Sequence, residues 1–239
     1  MPDLKVQAAV LPESVEPVEG MAQTEKHKRI VFCDFDGTIT VEETFLGMLR
    51  RYATEDFDTV ERLLTAGRMT IREGVRRLLE SIPSKRYPEV LAYIREMEVR
   101  PGLDALLDFL EEQRVPFVVI SGGLLDLVMS RLEFLAKRIH AVYAASVITD
   151  GEFLRVVSDF EGGEELVAKA RVMSRYAYEE SVAIGNGMTD VNMALHASIV
   201  YARGNLIRHL QARGRTYQAW DDFFDIRDDL AKSWRGAEK

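Results

Sequence analysis

Cysteine is almost missing from this chain. Its 239 residues include one, Cys33, so no internal disulfide can form and a thiolate metal cluster is excluded. Cys33 sits inside the apolar run "VFCDFD" (31–36) and reads as packing rather than chemistry. The four histidines (His27, His140, His196 and His209) are scattered and make no zinc-type spacing. No apolar run reaches the roughly 18 residues that would mark a membrane span. The N-terminus lacks a basic segment followed by an apolar core, so no secretory signal is read and the expected location is cytoplasmic. A basic excess is missing too. Lys and Arg total 31 against 39 Asp and Glu, for a net charge of -8, which argues against the basic stripe of a nucleic-acid binder. An anionic ligand stays possible, because a local metal or lysine outweighs global charge. What is present is ordinary: 47% hydrophobic and 29% charged residues, enough for one sizeable domain or a core with a small insert.

Residues 1–27, including "LPESVEPVEG", are rich in Pro and Glu without a sustained period, and read as a disordered tail. From there the pattern is α/β. "RIVFCD", "VPFVVI" (115–120), "SVAIGN" (181–186) and "ASIVYA" (197–202) are short and nearly continuous in hydrophobicity, as parallel strands covered on both faces should be. "GLDALLDFLEEQ", "LLDLVMSRLEFLAKR" and "EELVAKARVMSRYA" carry helical patterns between them. This alternation predicts a doubly wound, Rossmann-like parallel sheet built from residues 28–42 and 100–239. "VYAASVITDGEFLRVV" differs: two β-rich runs around Asp150-Gly151 signal a hairpin. Residues 43–99 break the alternation and show only helices, among them "TIREGVRRLLESIP", which opens on a Thr70/Glu73 capping box. They read as a separate, small helical cap domain.

In an open α/β sheet, ligands bind beyond the carboxyl ends of the strands. Three polar clusters fall there: Asp34 with Asp36, Ser121 with Gly122 and Gly123, and "GNGMTD" (185–190). Lys169, on the helical run before the third strand, could reach the same place. A carboxylate is already ionised at neutral pH and can attack phosphorus without a base, so Asp34 is the natural nucleophile. Two neighbouring carboxyls resist ionising together. Asp36 is therefore suited to protonate a leaving alcohol and later take a proton from water. Gly37 permits a sharp turn, Ser121 and the following amides suit phosphate oxygens, and Lys169 supplies a point charge. Repulsion is the obstacle. A carboxylate and one phosphate charge at about 4 Å repel by roughly 4 kcal/mol at an effective dielectric near 20, and a dianion doubles this. One lysine does not comfortably offset that, so a divalent cation is implied. Oxygen ligands favour Mg²⁺, with Asp34, Asn186 and Asp190 as candidate side chains.

These motifs, in this order, resemble the haloacid dehalogenase superfamily of phosphohydrolases over roughly residues 29–235. The helical insert resembles a type I cap, and the chain is similar to the phosphoserine phosphatase-like group. "TIREGVRRLLESIPS" and "WDDFFDIRDDL" resemble a narrower set, the phosphatases of methionine salvage. The resemblance implies an aspartyl-phosphate on Asp34, Asp36 as acid/base and phosphate contacts from Ser121, Gly122 and Lys169. It also implies Mg²⁺ held by Asp34, the Asp36 carbonyl and the fourth motif, with a small phosphorylated metabolite as partner and no nucleic acid or membrane. Two departures stand out. The fourth motif usually reads Gly-Asp and here is Gly185-Asn186, which brings no charge to the metal. Glu43 matches the cap glutamate of phosphoserine enzymes, but their cap arginine does not align cleanly with Arg72, Arg76 or Arg77.

Blander readings stand beside these. A lysine on an amphipathic helix is ordinarily exposed, Asn186-Gly187 could be a plain turn, and Arg72 and Arg76 share a helix face that could simply be solvated. "WDDFFDIRDD" reads as a C-terminal helix with Phe223, Phe224 and Ile226 packed inward. Three functional classes remain open at this point. They are a Mg²⁺-dependent phosphomonoesterase (for the methionine-salvage enol-phosphate or, failing that, phosphoserine), a phosphotransferase, and a non-catalytic binder of phosphorylated ligands. Oligomeric state is not read from the sequence.

Overall fold

The computed structural model describes residues 26–236. In chain order its elements are β1 (Lys26–Cys33), α1 (Thr44–Tyr52), α2 (Phe57–Thr65), α3 (Ile71–Leu79), α4 (Tyr87–Arg95), α5 (Leu103–Glu112), β2 (Phe117–Leu124) and α6 (Leu125–Leu132). They continue with β3 (Ala141–Ile148), β4 (Arg155–Val157), α7 (Lys169–Met173), β5 (Ala177–Gly185), α8 (Val191–His196), β6 (Ile199–Ala202), α9 (Gly204–Gln211), β7 (Gln218–Ala219) and α10 (Phe223–Gly236). The seven strands form one sheet in the order β4-β3-β2-β1-β5-β6-β7. All pairings are parallel except β3 with β4, the hairpin expected around Asp150-Gly151. The chain runs outward from β1 to β4, returns to β5, and runs out the other way to β7. The reversal beside β1 opens a crevice at the strand ends.

Alternation along β1 explains its unbroken hydrophobicity. Ile30 and Phe32 join the apolar cluster on one face, while Val31 and Cys33 join the cluster on the other. The second face is covered by α5 and α10, through residues such as Leu106, Leu110, Phe223, Ile226 and Trp234. The first face carries the helical block α1–α4. Met48, Leu79, Ile82 and Val90 there are fully buried and belong to the same cluster as Phe32 and Val118. Burying each such side chain contributes about 1.5–3 kcal/mol. The block thus shares a core with one sheet face. Its two connections to the sheet run side by side, with Thr40 bridged to Val99 and the Val41 N–H bonded to the Glu98 carbonyl at 3.0 Å. The capping box at Thr70/Glu73 forms as expected.

Three expectations are corrected. The tail does not extend through residue 27: Lys26 and His27 pair with Ala177 and Tyr178 at the start of β1, while residues 1–25 lie outside the described residues. "EELVAKARVMSRYA" is helical only over Lys169–Met173. The Ala168 N–H is already bonded to the Phe160 carbonyl at 2.8 Å, and Leu166 and Val167 are buried just before it, so tertiary packing overrides the local pattern. Phe224 does not pack inward. It is 41% exposed, beneath the Arg227 guanidinium, while Phe223 and Ile226 are buried.

Candidate active site

Asp34 is the first residue beyond β1, and its N–H bonds to the Ile184 carbonyl of β5 at 2.9 Å. That tie sets it at the sheet reversal. The loop then turns back on itself: the Thr38, Ile39 and Thr40 N–H groups all bond to the Phe35 carbonyl. Gly37 makes the turn at φ +72°, and a Cβ there would lie 2.3 Å from Asn186 Nδ2. Only glycine meets both demands.

Lys169 is fully buried at the start of α7. Its Nζ donates to Asp34 Oδ1 and to Asp190 Oδ1, each at 2.5 Å. Asp190 is fully buried too. Its second oxygen accepts the Asn186 and Gly187 N–H groups, both at 2.9 Å. Gly185 lets this carboxylate approach, because a Cβ there would meet Asp190 Cγ at 2.6 Å. Asp190 therefore fastens the Asn186 loop and Lys169 together. Burial alone would lower the lysine's pKa, but Asp190 and Asp34 together raise it, so it stays charged at neutral pH. Burial and the Asp190 charge push the Asp34 carboxyl up to about 7 against the pull of Lys169.

Asp36 Oδ1 accepts from the Thr44 N–H (2.7 Å), the Phe45 N–H (2.9 Å) and the Thr44 hydroxyl. It rests on the first turn of α1, at the end of a helix that favours negative charge. Burial nevertheless pushes its carboxyl up to about 6. Ser121 is buried near the end of β2, with its Oγ accepting the Gly123 N–H at 3.0 Å. Helix α6 starts only at Leu125, so the Ser121-Gly122-Gly123 backbone belongs to the strand end rather than to a helix start. A Cβ on Gly122 would meet nothing within 4 Å, so its surroundings are open.

The Asn186 side chain is at the rim. Its Oδ1 accepts from the Thr38 hydroxyl and its Nδ2 donates to Glu43 Oε1, both at 3.3 Å. Glu43, an exposed residue just before α1, thus reaches the site edge. The three cap arginines separate. Arg76 pairs with Glu80 (3.1 Å) and with Glu161, and donates to the Val156 carbonyl at 2.6 Å. Arg77 pairs with Glu55 at 2.8 Å. The Arg72 N–H is bonded to the Glu164 carbonyl. Thr38 and Thr44 were not singled out from sequence. The position of Thr44 eight residues after Asp36, at a helix start, is the signal that could have found it.

A gap of about 10 Å³ lies among Asp36, Ser121, Phe45, Ile94, Leu124 and Leu127. It holds about one water. A roomier cleft of about 560 Å³ lies elsewhere, along β6, β7 and α10. Among the described residues, no group of three or more His, Cys, Asp and Glu could hold a metal ion. Asp190, expected from sequence as a further ligand, has both oxygens engaged by Lys169 and by the Asn186 and Gly187 N–H groups, so a cation beside Asp34 would use that carboxylate, the Asp36 carbonyl and the Asn186 amide oxygen, completed by waters. That donor set is all oxygen and low in charge, and it fits Mg²⁺. No helix among the described residues is long and apolar enough to cross a membrane.

A sheet of this topology with these groups at its reversal defines a phosphoryl-handling α/β hydrolase, and comparison with known proteins agrees. Residues 31–195 match the model of the haloacid dehalogenase-like hydrolases. The chain is 47% identical over 204 residues to a 2-hydroxy-3-keto-5-methylthiopentenyl-1-phosphate phosphatase of Microcystis aeruginosa, covering 84% of this chain and 97% of that one. A protein of the same name from Bacillus mycoides is 26% identical, covering 84% and 94%. Among solved structures, a phospho-aspartyl intermediate analogue of phosphoserine phosphatase superposes with TM-score 0.64 at 19% identity, over 87% of this chain and 99% of that chain, a likeness of fold. The chain belongs to the haloacid dehalogenase-like hydrolase family, and within it to the phosphatases.

Proposed function

We propose that this protein hydrolyses a small phosphate monoester through an aspartyl-phosphate on Asp34, and that its substrate is the methylthio enol-phosphate named for its 47%-identical relative. The observation that carries the reaction is the buried Asp34–Lys169–Asp190 cluster with Asp36 two residues on. Lys169 occupies one oxygen of Asp34 and leaves the other without a protein partner among the described residues. That oxygen attacks phosphorus in line with the leaving group. Ser121 and the Gly122 backbone hold the phosphoryl oxygens with Lys169. Asp36 protonates the leaving oxygen. With Asp34 phosphorylated, Asp36 takes a proton from water, which attacks phosphorus and frees the carboxylate. Mg²⁺ held by Asp34, the Asp36 carbonyl and Asn186 would supply the positive charge that offsets carboxylate–phosphate repulsion. Asp190 serves by holding Lys169 and the Asn186 loop in place.

The lining beside Asp36 supports an apolar substrate tail. Phe45, Ile94, Leu124 and Leu127 offer no partner for an ammonium or carboxylate. Of the three cap arginines near the position of an amino-acid clamp (Arg72, Arg76 and Arg77), Arg76 and Arg77 are tied up in ion pairs. Phosphate release from a panel holding the methylthio enol-phosphate, phosphoserine and simple aryl phosphates, with Mg²⁺ titrated, tests both parts. The expected result is highest kcat/KM on the enol-phosphate and none without the cation. Preference for phosphoserine would contradict the substrate assignment, and no release from any ester would contradict the reaction.

A further inference from the structure

The loop that carries Asp34 and Asp36 leaves a row of backbone carbonyls pointing away from the site, into the protein. Four of them converge on one side chain. Arg100, 6% exposed, donates through Nε to the Thr38 carbonyl (2.9 Å) and through Nη2 to those of Gly37 (3.0 Å), Thr40 (3.1 Å) and Val41 (3.0 Å). Its own N–H bonds to the Ile39 carbonyl at 2.8 Å. A guanidinium is the one side chain whose planar fork satisfies so many acceptors at once. Left without it, the Gly37, Thr38 and Thr40 carbonyls would be buried and unpaired.

The same guanidinium reaches the C-terminal segment. Nη1 donates to the Asp221 carbonyl at 3.4 Å, which also accepts from Arg203 Nη1 at 2.9 Å. The buried Trp220 ring lies under both cations, 5.5 Å from Arg100 and 5.2 Å from Arg203. Its indole Nε1 is buried with no hydrogen-bond partner in the described structure, so the ring face is what the position uses. Arg203 in turn holds the fourth-motif loop: its N–H bonds to the Gly185 carbonyl (3.1 Å), and the nearby Leu206 N–H bonds to the Asn186 carbonyl (2.9 Å).

We propose that Arg100 is a positioning residue for the reaction. It sets the Asp34–Asp36 loop from behind, and Trp220-Asp221 with Arg203 ties that loop to the Asn186 loop, so both halves of the site stay in register. None of these groups touches substrate. The nucleophile and the acid immediately precede the braced turn, whose bonded carbonyls run from Gly37 to Val41, and a misplacement of about 1 Å there costs on the order of 100-fold in rate. The kinetic part of this inference rests on the phosphatase reading, but the brace itself does not.

The test combines kinetics with amide hydrogen exchange on the full chain, comparing the native protein with Arg100→Ala, Arg100→Lys and Trp220→Phe. For Arg100→Ala the expected result is kcat on p-nitrophenyl phosphate lower by about 100-fold with KM within about threefold, the pattern of lost positioning rather than lost binding. Exchange should rise at least about tenfold in residues 35–41 and 185–190 while strand β1 stays protected. Arg100→Lys should recover little, since an ammonium is a point charge without the fork. Trp220→Phe, which keeps a ring and removes the unpaired N–H, should fold in any case and lie between native and Arg100→Ala. The inference is overturned if Arg100→Ala keeps native kcat. It is also overturned if exchange rises uniformly through the chain, or if Arg100→Ala fails to fold and Trp220→Phe changes neither loop. If the native protein releases no phosphate from any ester, the phosphatase reading falls, and the exchange pattern alone decides the brace.

Discussion

The two halves of the site are built on opposite principles. The inner half (Asp34, Lys169 and Asp190) is sealed: the lysine and Asp190 have no exposed surface, and the three groups are locked by 2.5 Å contacts. The outer half, Asn186 and Glu43, is open and joined by one 3.3 Å hydrogen bond. Charges in the first half have no solvent to fall back on, so each depends on the others. Those in the second half are screened and interchangeable at small cost. Chemistry that must not drift belongs in the first, and adjustment of metal and substrate affinity belongs in the second.

Breaking the inner half should have the largest effect. Lys169→Met leaves Asp34 and Asp190 buried without their cation, and unpaired buried charge costs about 3–5 kcal/mol. Urea melts should show that loss, and the folded fraction should release no phosphate. A variant of native stability would mean that Asp34, Lys169 and Asp190 do not form a buried ion-paired cluster.

Asp36→Asn comes next. The amide oxygen still accepts from Thr44 and Phe45, so the fold should survive. The proton transfer is lost, lowering kcat by about 10²–10⁴ with KM nearly unchanged. The same variant tests the electrostatics. Burial raises the Asp36 carboxyl from 3.8 to about 6 in the folded chain, so its stabilising contribution is complete below about 4 and lost as pH rises through about 6. In chelator, native stability should fall relative to Asp36→Asn by about 3 kcal/mol across that window. A difference that is flat with pH would refute the buried carboxyl.

Asn186→Asp touches the outer half and should have the smallest effect. A carboxylate in place of the amide should tighten Mg²⁺ roughly tenfold in half-saturation, with kcat at saturating cation little changed. An unchanged Mg²⁺ requirement would remove Asn186 from the ligand set.

The inner half is also where the sequence is informative about identity and silent about environment. Asp34 and Asp36 stand at the mouth of an unmistakable strand, and the order of the polar clusters is plain. Lys169 is assigned to the site by the order of the motifs, although the amphipathic pattern of its own stretch would by itself leave a lysine on an exposed helix face. Long-range bonds, such as Ala168 to Phe160, shorten that helix to five residues and turn the lysine inward. Arg100, between Val99 and Pro101-Gly102, carries no local signal at all, because its partners are backbone carbonyls about 60 residues away in sequence. Phe224 shows the reverse: the apolar pair Phe223-Phe224 reads as core, yet at the start of α10 only Phe223 faces the core and Phe224 is 41% exposed.

The proposed reaction stands or falls on the Asp34 carboxylate accepting the phosphoryl group in a covalent intermediate. The most direct measurement is an acid-quenched single turnover with the phosphate-labelled methylthio enol-phosphate, followed by proteolysis and mapping of the label. Label is expected on the peptide bearing Asp34 in the native enzyme and in Asp36→Asn, and none in Asp34→Asn. Label on another peptide, or undiminished phosphate release by Asp34→Asn, would contradict it.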